Sequence, residues 1–295
     1  MAVQALAVRS PARRGPAGVL RRLTVLLPAP ALALVAAVFL VPIGLLMYLS
    51  VTDPTPGLHN YTAIASDGVS ITVLLRTLRM AAIVTLATVL LSYPYAYVMT
   101  LAKPRMRTVM FAIVLMPFWT SLMARTFAWV VLLQNDGPLD KLLGFFGLAS
   151  GGLLGTSTGV TIAMTQVLLP FMALPLYASL RGIDRRLTQA ALGLGARPVV
   201  AFLRVYFPLS LPGIAAGAAL VFILALGFYV TPALLGSPQE SMVSQLMASR
   251  IQELVQFGAG GALGTIVLVV TLVLLALVSR LARRSSALSN GMGNK

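Results

Sequence analysis

The chain has 295 residues, of which only 10% are charged and 58% are hydrophobic. So few charges cannot coat a soluble particle, where about a quarter of residues are charged, so an integral membrane protein is expected. The net charge of +15 does not point to nucleic acid, because the basic residues flank long apolar runs instead of gathering on one soluble face. That placement suits topology and contact with anionic lipid. There is no cysteine and one histidine, His59, in a Pro/Gly/Asn-rich connector, which excludes disulfides, thiolate sites and a histidine metal cluster.

A bilayer core about 30 Å thick takes about 20 apolar helical residues. Six spans are predicted in chain order, at about 23–49, 77–99, 109–133, 158–180, 211–234 and 259–281. A basic segment, 1–22, precedes the first. It resembles a signal peptide, but the apolar run continues too far for a cleaved one, so an uncleaved anchor is expected. With the N-terminus inside, every basic residue except Arg76, Arg79, Arg125, Lys141 and Arg250 falls on the cytoplasmic side. Of the acids, only Asp184 falls there. The expected topology is N-in, C-in, with a cytoplasmic tail at 286–295.

The connector at 134–157 contains LDKLLGFFGL, too short to cross and suited to a short interfacial helix. GAGGALG, 258–264, opens the last span; it reads either as a site of close helix approach or as a flexible helix start. Arg125 lies within the third span, about 16 residues past Val109 and so about 24 Å along a straight helix. It either snorkels or makes a structural pair, or it lines a solute path. Arg76 and Arg79 are expected at the outer interface. Trp119, Trp129, Tyr229 and Tyr93, Tyr95 and Tyr97 form either belt anchors or an aromatic cage for ammonium groups.

No phosphate-binding loop is present: none of Lys103, Lys141 and Lys295 follows a G-x-x-x-x-G run. No acidic pair lies within a span, which weighs against a proton-driven carrier. No bond chemistry is expected of this chain.

The segment between the fourth and fifth spans, 181–210, is the most specific. Asp184 suits a helix start. Leu187, Ala190, Ala191 and Leu194 share one helical face. Gly195 suits the helix end, and Pro198 the first turn of a second helix with Val199, Phe202, Leu203, Tyr206 and Phe207 on its apolar side. Pro208 and Pro212 are expected to break that helix before the fifth span. The pair of short helices is either an amphipathic connector on lipid headgroups or a docking element for a cytoplasmic partner.

This segment resembles the EAA loop of permease subunits of binding-protein-dependent ATP-binding-cassette (ABC) importers. The family pattern is E-A-A, three residues, G, nine residues, I-x-L-P. Gln189-Ala190-Ala191, Gly195 and Val205-Tyr206-Phe207-Pro208 match its spacing. The departures are Gln189 for glutamate, Val205 for isoleucine and Phe207 for leucine. MPFWTSLMARTFAWVVLL (116–133), LPFMALPLYASLRGID (169–184) and LGFYVTPALLG (226–236) resemble the spermidine/putrescine-type branch, and the likeness covers roughly residues 70 to 285.

The resemblance implies an all-α type I importer transmembrane domain at 71–285, in a bacterial inner membrane. It implies that the loop helix docks on a separate ATPase dimer through Gln189, Ala190, Ala191, Gly195 and Ala196, with Pro208 entering the next span. It implies that ATP is bound by that partner and no cofactor by this chain, and that a second permease and a periplasmic solute-binding protein complete the transporter. Trp119, Arg125 and Tyr229 are the candidate pathway residues. A stand-alone secondary transporter and a membrane scaffold are the competing readings.

Overall fold

The computed structural model describes residues 29–147 and 151–291. The arginines of the N-terminal segment, the expected start of the first span at 23, and Lys295 lie outside them.

Helix α1, Ala29–Thr52, is apolar on every side and carries Pro42 inside it. A short helix expected to be loop, α2 at His59–Ser66, follows. Buried Asn60 pins it by donating from Nδ2 to the carbonyls of Ser50 (2.9 Å) and Asp53 (2.7 Å), while His59 is exposed.

Helix α3, Gly68–Leu101, has 34 residues and starts well before the apolar run does. Asp67 sets the start. Its carboxylate accepts from the amides of Val69 and Ser70 and from the Ser70 hydroxyl, so it satisfies donors that a helix start leaves open.

The third predicted span is not one rod. It is divided into α4, Pro104–Leu115, a 3₁₀ turn at Met116–Trp119, and α5, Leu122–Leu133, with a bend of 98° between the two arms. Pro117 has no N–H for the preceding turn, and Thr120 is extended at φ −98°, ψ 139°. The straight-helix depth expected for Arg125 therefore does not apply.

After α6, Pro138–Phe145, the short helix expected in this connector, comes α7, Ser157–Arg181, capped by the Thr156 hydroxyl. The loop helix α8 is Arg185–Gly193. Helix α9, Pro198–Ala201, passes through a π turn at Phe202–Tyr206 into α10, Phe207–Leu226. Here too the structure corrects expectation. Pro208 and Pro212 do not end the helix, which runs from Pro198 to Leu226 as one span. The turn preceding Pro208 widens instead, and helix neighbours tolerate the freed carbonyls. The expected fifth span also ends early, at Leu226, before a separate short helix, α11, Val230–Leu235. Helix α12, Val243–Ala248, runs into a second π turn, Ser249–Glu253. Helix α13, Phe257–Gly291, closes the described chain and continues past the expected end of its span.

Among the described residues, five helices are long and apolar enough to cross a membrane, and the bent α4–α5 pair makes a sixth if it is one crossing. Helices α3, α7 and α10 pack into the core, where Val84, Met164, Leu168, Met172 and Val221 are buried. Two glycines of α10 permit that contact. A Cβ on Gly213 would lie 2.3 Å from the Ser179 Cβ, and one on Gly217 would lie 2.7 Å from the Met172 sulfur. Helix α1 joins the bundle against α13. A Cβ on Gly261 would lie 2.4 Å from the Leu46 carbonyl oxygen, and the Gly258 amide donates to Asp53 Oδ2 at 2.9 Å. GAGGALG is thus a close-approach surface.

Candidate functional site

The ends of α3 and α7 and the start of α10 meet at one end of the bundle, and segment 181–210 is built on that end. Asp184 accepts from the Arg186 amide at 2.9 Å and starts α8 as expected. The helix closes with paired backbone bonds, Gly195 N to Leu192 O (3.0 Å) and Ala196 N to Ala191 O (3.1 Å). This closing geometry needs a left-handed residue, and Gly195 supplies it at φ +86°. Arg197 then caps in extended conformation and Pro198 takes the first turn.

The loop helix presents its apolar side away from the chain. Leu187 and Leu192 are about half exposed and Leu194 is 89% exposed. Gln189 and Ala190 are exposed, Ala191 and Ala196 half-buried, and Gly195 open to solvent. Arg185, Arg186, Arg197 and Arg204 lie in the same segment as this face, with Asp184 the one acid there.

The second helix divides its expected apolar side. Val199 and Leu203 point outward, while Tyr206 is buried. Phe202 and Tyr206 stack at 5.7 Å and meet α3: Phe202 lies edge-on to Tyr93 (6.1 Å) and Tyr97 (5.6 Å), and Tyr206 lies edge-on to Tyr97 (5.3 Å). Phe207 adds a tilted contact to Tyr93 at 5.8 Å. Tyr95 turns the other way and donates to the Met110 carbonyl at 2.7 Å. Tyr93 and Tyr97 therefore pack within the chain against the loop end, and Tyr95 against α4. Sequence reasoning missed this knot; its trace was the i, i+4 spacing of Tyr93 with Tyr97 and of Phe202 with Tyr206.

A cavity of ≈ 300 Å³ opens at the bend of α4–α5, with Pro117, Phe118, Arg125, Phe171 and Phe228 in its wall. Arg125 donates to the carbonyls of Pro117 and Thr120 and to the Thr120 hydroxyl, so it ties the bend together while bordering the cavity. Trp119 is 78% exposed and Tyr229 45% exposed; neither lines the cavity. The structure thus does not bring Trp119, Arg125 and Tyr229 into one wall. Trp129 approaches Gln166 Oε1 at 3.4 Å and packs against the core.

At the opposite end, Arg76 donates to the Ser241 carbonyl at 3.3 Å. The Val243 amide donates to the buried Thr77 hydroxyl at 2.9 Å, and Arg250 meets Asp67 at 3.5 Å.

Residues 108–286 match the family described as binding-protein-dependent transport system inner membrane component. The spermidine/putrescine transport system permease protein PotB of Escherichia coli is 32% identical over 228 residues, 77% of this chain and 82% of that protein. Its Haemophilus influenzae counterpart is 34% identical, over 72% of this chain and 75% of that protein. A bacterial alginate ABC transporter, solved with a pentasaccharide-bound periplasmic protein, shares the fold at TM-score 0.71 and 17% identity, over 92% of this chain and 98% of that one. An all-helical membrane bundle, a loop in the EAA spacing and these relationships converge: the chain belongs to the binding-protein-dependent transport family and is a multi-pass inner-membrane permease subunit of an ABC importer, a transport subunit and not an enzyme.

Proposed function

We propose that this chain forms half of a polyamine path and is driven through α8 by a separate ATPase dimer. In this reading α4–α5 is one bent crossing, both termini are cytoplasmic, and the transmembrane domain spans 71–285. The observation that carries it is the unpartnered face of α8. A capped helix with Ala190 and Ala191 on a shallow surface and apolar Leu187 and Leu194 left exposed needs an occupant.

Gln189 offers that occupant a donor and an acceptor in place of the usual carboxylate. Gly195 and Ala196 end the helix without bulk. Pro208 begins the following span, so displacement of α8 feeds directly into α10. ATP binding would draw two such loops together and turn the spans from inward-facing to outward-facing. The chain itself holds neither ATP nor cofactor; both ATPases, a second and different permease, and a periplasmic binding protein complete the machine.

The polyamine class rests on the PotB relatives. Polyamines carry several ammonium groups, yet the seven acids of this chain all lie outside its predicted spans. Arg125 at the cavity by the bend, with Trp119 and Tyr229 as further candidate pathway residues, would favour passage over tight binding, and selection would fall to the periplasmic protein.

The test is Ala190→Trp in the full complex in vesicles. Insertion is expected to be unchanged, ATPase association lost, and putrescine uptake reduced at least about tenfold, the equivalent of about 1.4 kcal/mol of coupling. Undiminished uptake would remove the docking role.

A further inference from the structure

We propose that the aromatic knot of Tyr93 and Tyr97 with Phe202, Tyr206 and Phe207 hands the movement of segment 181–210 to α3, which carries it to segment 241–250 at the far end of the bundle. This rests on the ATPase-coupling reading and adds a route that the loop alone does not specify.

Three observations carry it. First, the loop grips α3 and not merely the span that follows it. Arg185 of α8 donates to the Thr100 carbonyl in the last turn of α3, where a cation complements the helix end. Phe202 and Tyr206 lie against Tyr97, and Phe202 and Phe207 against Tyr93. The Tyr93 hydroxyl also pairs with the Ser210 hydroxyl at 3.1 Å.

Second, the gripping residues sit on a π turn, Phe202–Tyr206, closed by the Phe207 amide bonding to the Phe202 carbonyl. Such a wide turn inside a helix is uncommon and recurs at functional sites. Here it sets the Phe202 and Tyr206 rings nearly parallel, with 20° between their planes, against α3.

Third, α3 is continuous over 34 residues, about 50 Å at 1.5 Å per residue, with Pro94 inside it, and its far end is tied to the chain as well. Asp67, Arg76 and Thr77 bind Arg250, Ser241 and Val243 in turn. A rod held at both ends transmits displacement, because packed helices shift as units.

The chain has no cysteine, so two spin labels can be placed cleanly, through Ser66→Cys beside the start of α3 and Leu142→Cys on α6. The complex is assembled with its ATPase and second permease, both carrying Cys→Ser replacements. Trapping with ATP and vanadate is expected to shift the label separation. In Phe202→Leu, nucleotide trapping is retained and the shift is lost; Phe202→Trp, which restores a ring, recovers it. Tyr97→Leu reproduces the loss from the α3 side.

A shift that persists in both leucine variants overturns the proposal, as does a Trp variant no better than Leu. Failure of both leucine variants to assemble makes the knot purely structural and overturns it too. The docking reading fails separately, if Ala190→Trp leaves nucleotide trapping and the label shift intact.

Discussion

Helix α1 is the more hydrophobic of α1 and α7, and none of its most apolar 18-residue window is buried inside the chain; for α7 the share is 61%. Hydropathy therefore records contact with lipid and not depth in the fold. In lipid no hydrophobic force drives helices together, so the buried helix is marked by what lets backbones approach. Helix α7 meets glycines of α10 at Ser179 and Met172, and it accommodates Pro170 and Pro175 within its length. Helix α1 presents bulky side chains on nearly all sides and touches its neighbour α13 through the Leu46–Asp53 stretch, where Gly258 and Gly261 meet it.

The sharpest way to break this contrast is to add equal bulk on both sides of it. Gly213→Leu drives a side chain into Ser179 on α7, and overpacking of this kind costs roughly 1–3 kcal/mol or more. Loss of most folded protein is expected, read as the midpoint of thermal unfolding in detergent. Gly44→Leu adds the same side chain to an exposed face of α1, where a Cβ would meet nothing within 4 Å, and is expected to leave that midpoint unchanged. Equal effects would mean that α1 is buried by a partner helix.

Gly261→Leu should fall between them. Its Cβ would meet the Leu46 carbonyl, so α1 must move off α13 while the core stays intact. A drop in the unfolding midpoint smaller than that for Gly213→Leu measures this.

The crossings and the loop were legible because each is a local pattern. Twenty apolar residues, or Gln189-Ala190-Ala191 followed by Gly195, need no distant partner to be seen. The start of α3 was missed because Ser70, Thr72, Arg76 and Thr77 dilute its hydropathy, although Asp67 ahead of Ser70 was a capping signal. The bend at 116–121 was hidden by averaging: the Pro117 and Thr120-Ser121 breakers sit inside a run that is apolar as a whole. The continuity past Pro208 was missed for the opposite reason, since proline rules from water overstate breakage where a π turn and neighbouring helices absorb it. The tyrosine knot and the Arg125 clamp depend on contacts from other segments, which one segment's spacing does not encode.

The helix caps extend the contrast to a smaller scale. Helix α7 starts on the neutral Thr156 hydroxyl and α3 on the Asp67 carboxylate. The Ser70 hydroxyl, then the Val69 amide, hold the Asp67 pKa below the ordinary carboxylate value; burial opposes this and Arg250 adds a little. A carboxyl whose folded pKa is depressed contributes stability that is fully present above its unfolded value, near 4, and is lost as pH falls through the folded one. The start of α3 should therefore loosen below about pH 4 while the start of α7 does not, read as amide exchange at 68–72 against 157–161. Asp67→Asn keeps a capping side chain and is expected to abolish that pH dependence with little change at neutral pH. Asp67→Ala should cost about 1 kcal/mol at pH 7, as lost caps do. The Arg250 pair is exposed enough to add little, so raising the salt concentration should leave the Asp67→Ala deficit nearly unchanged.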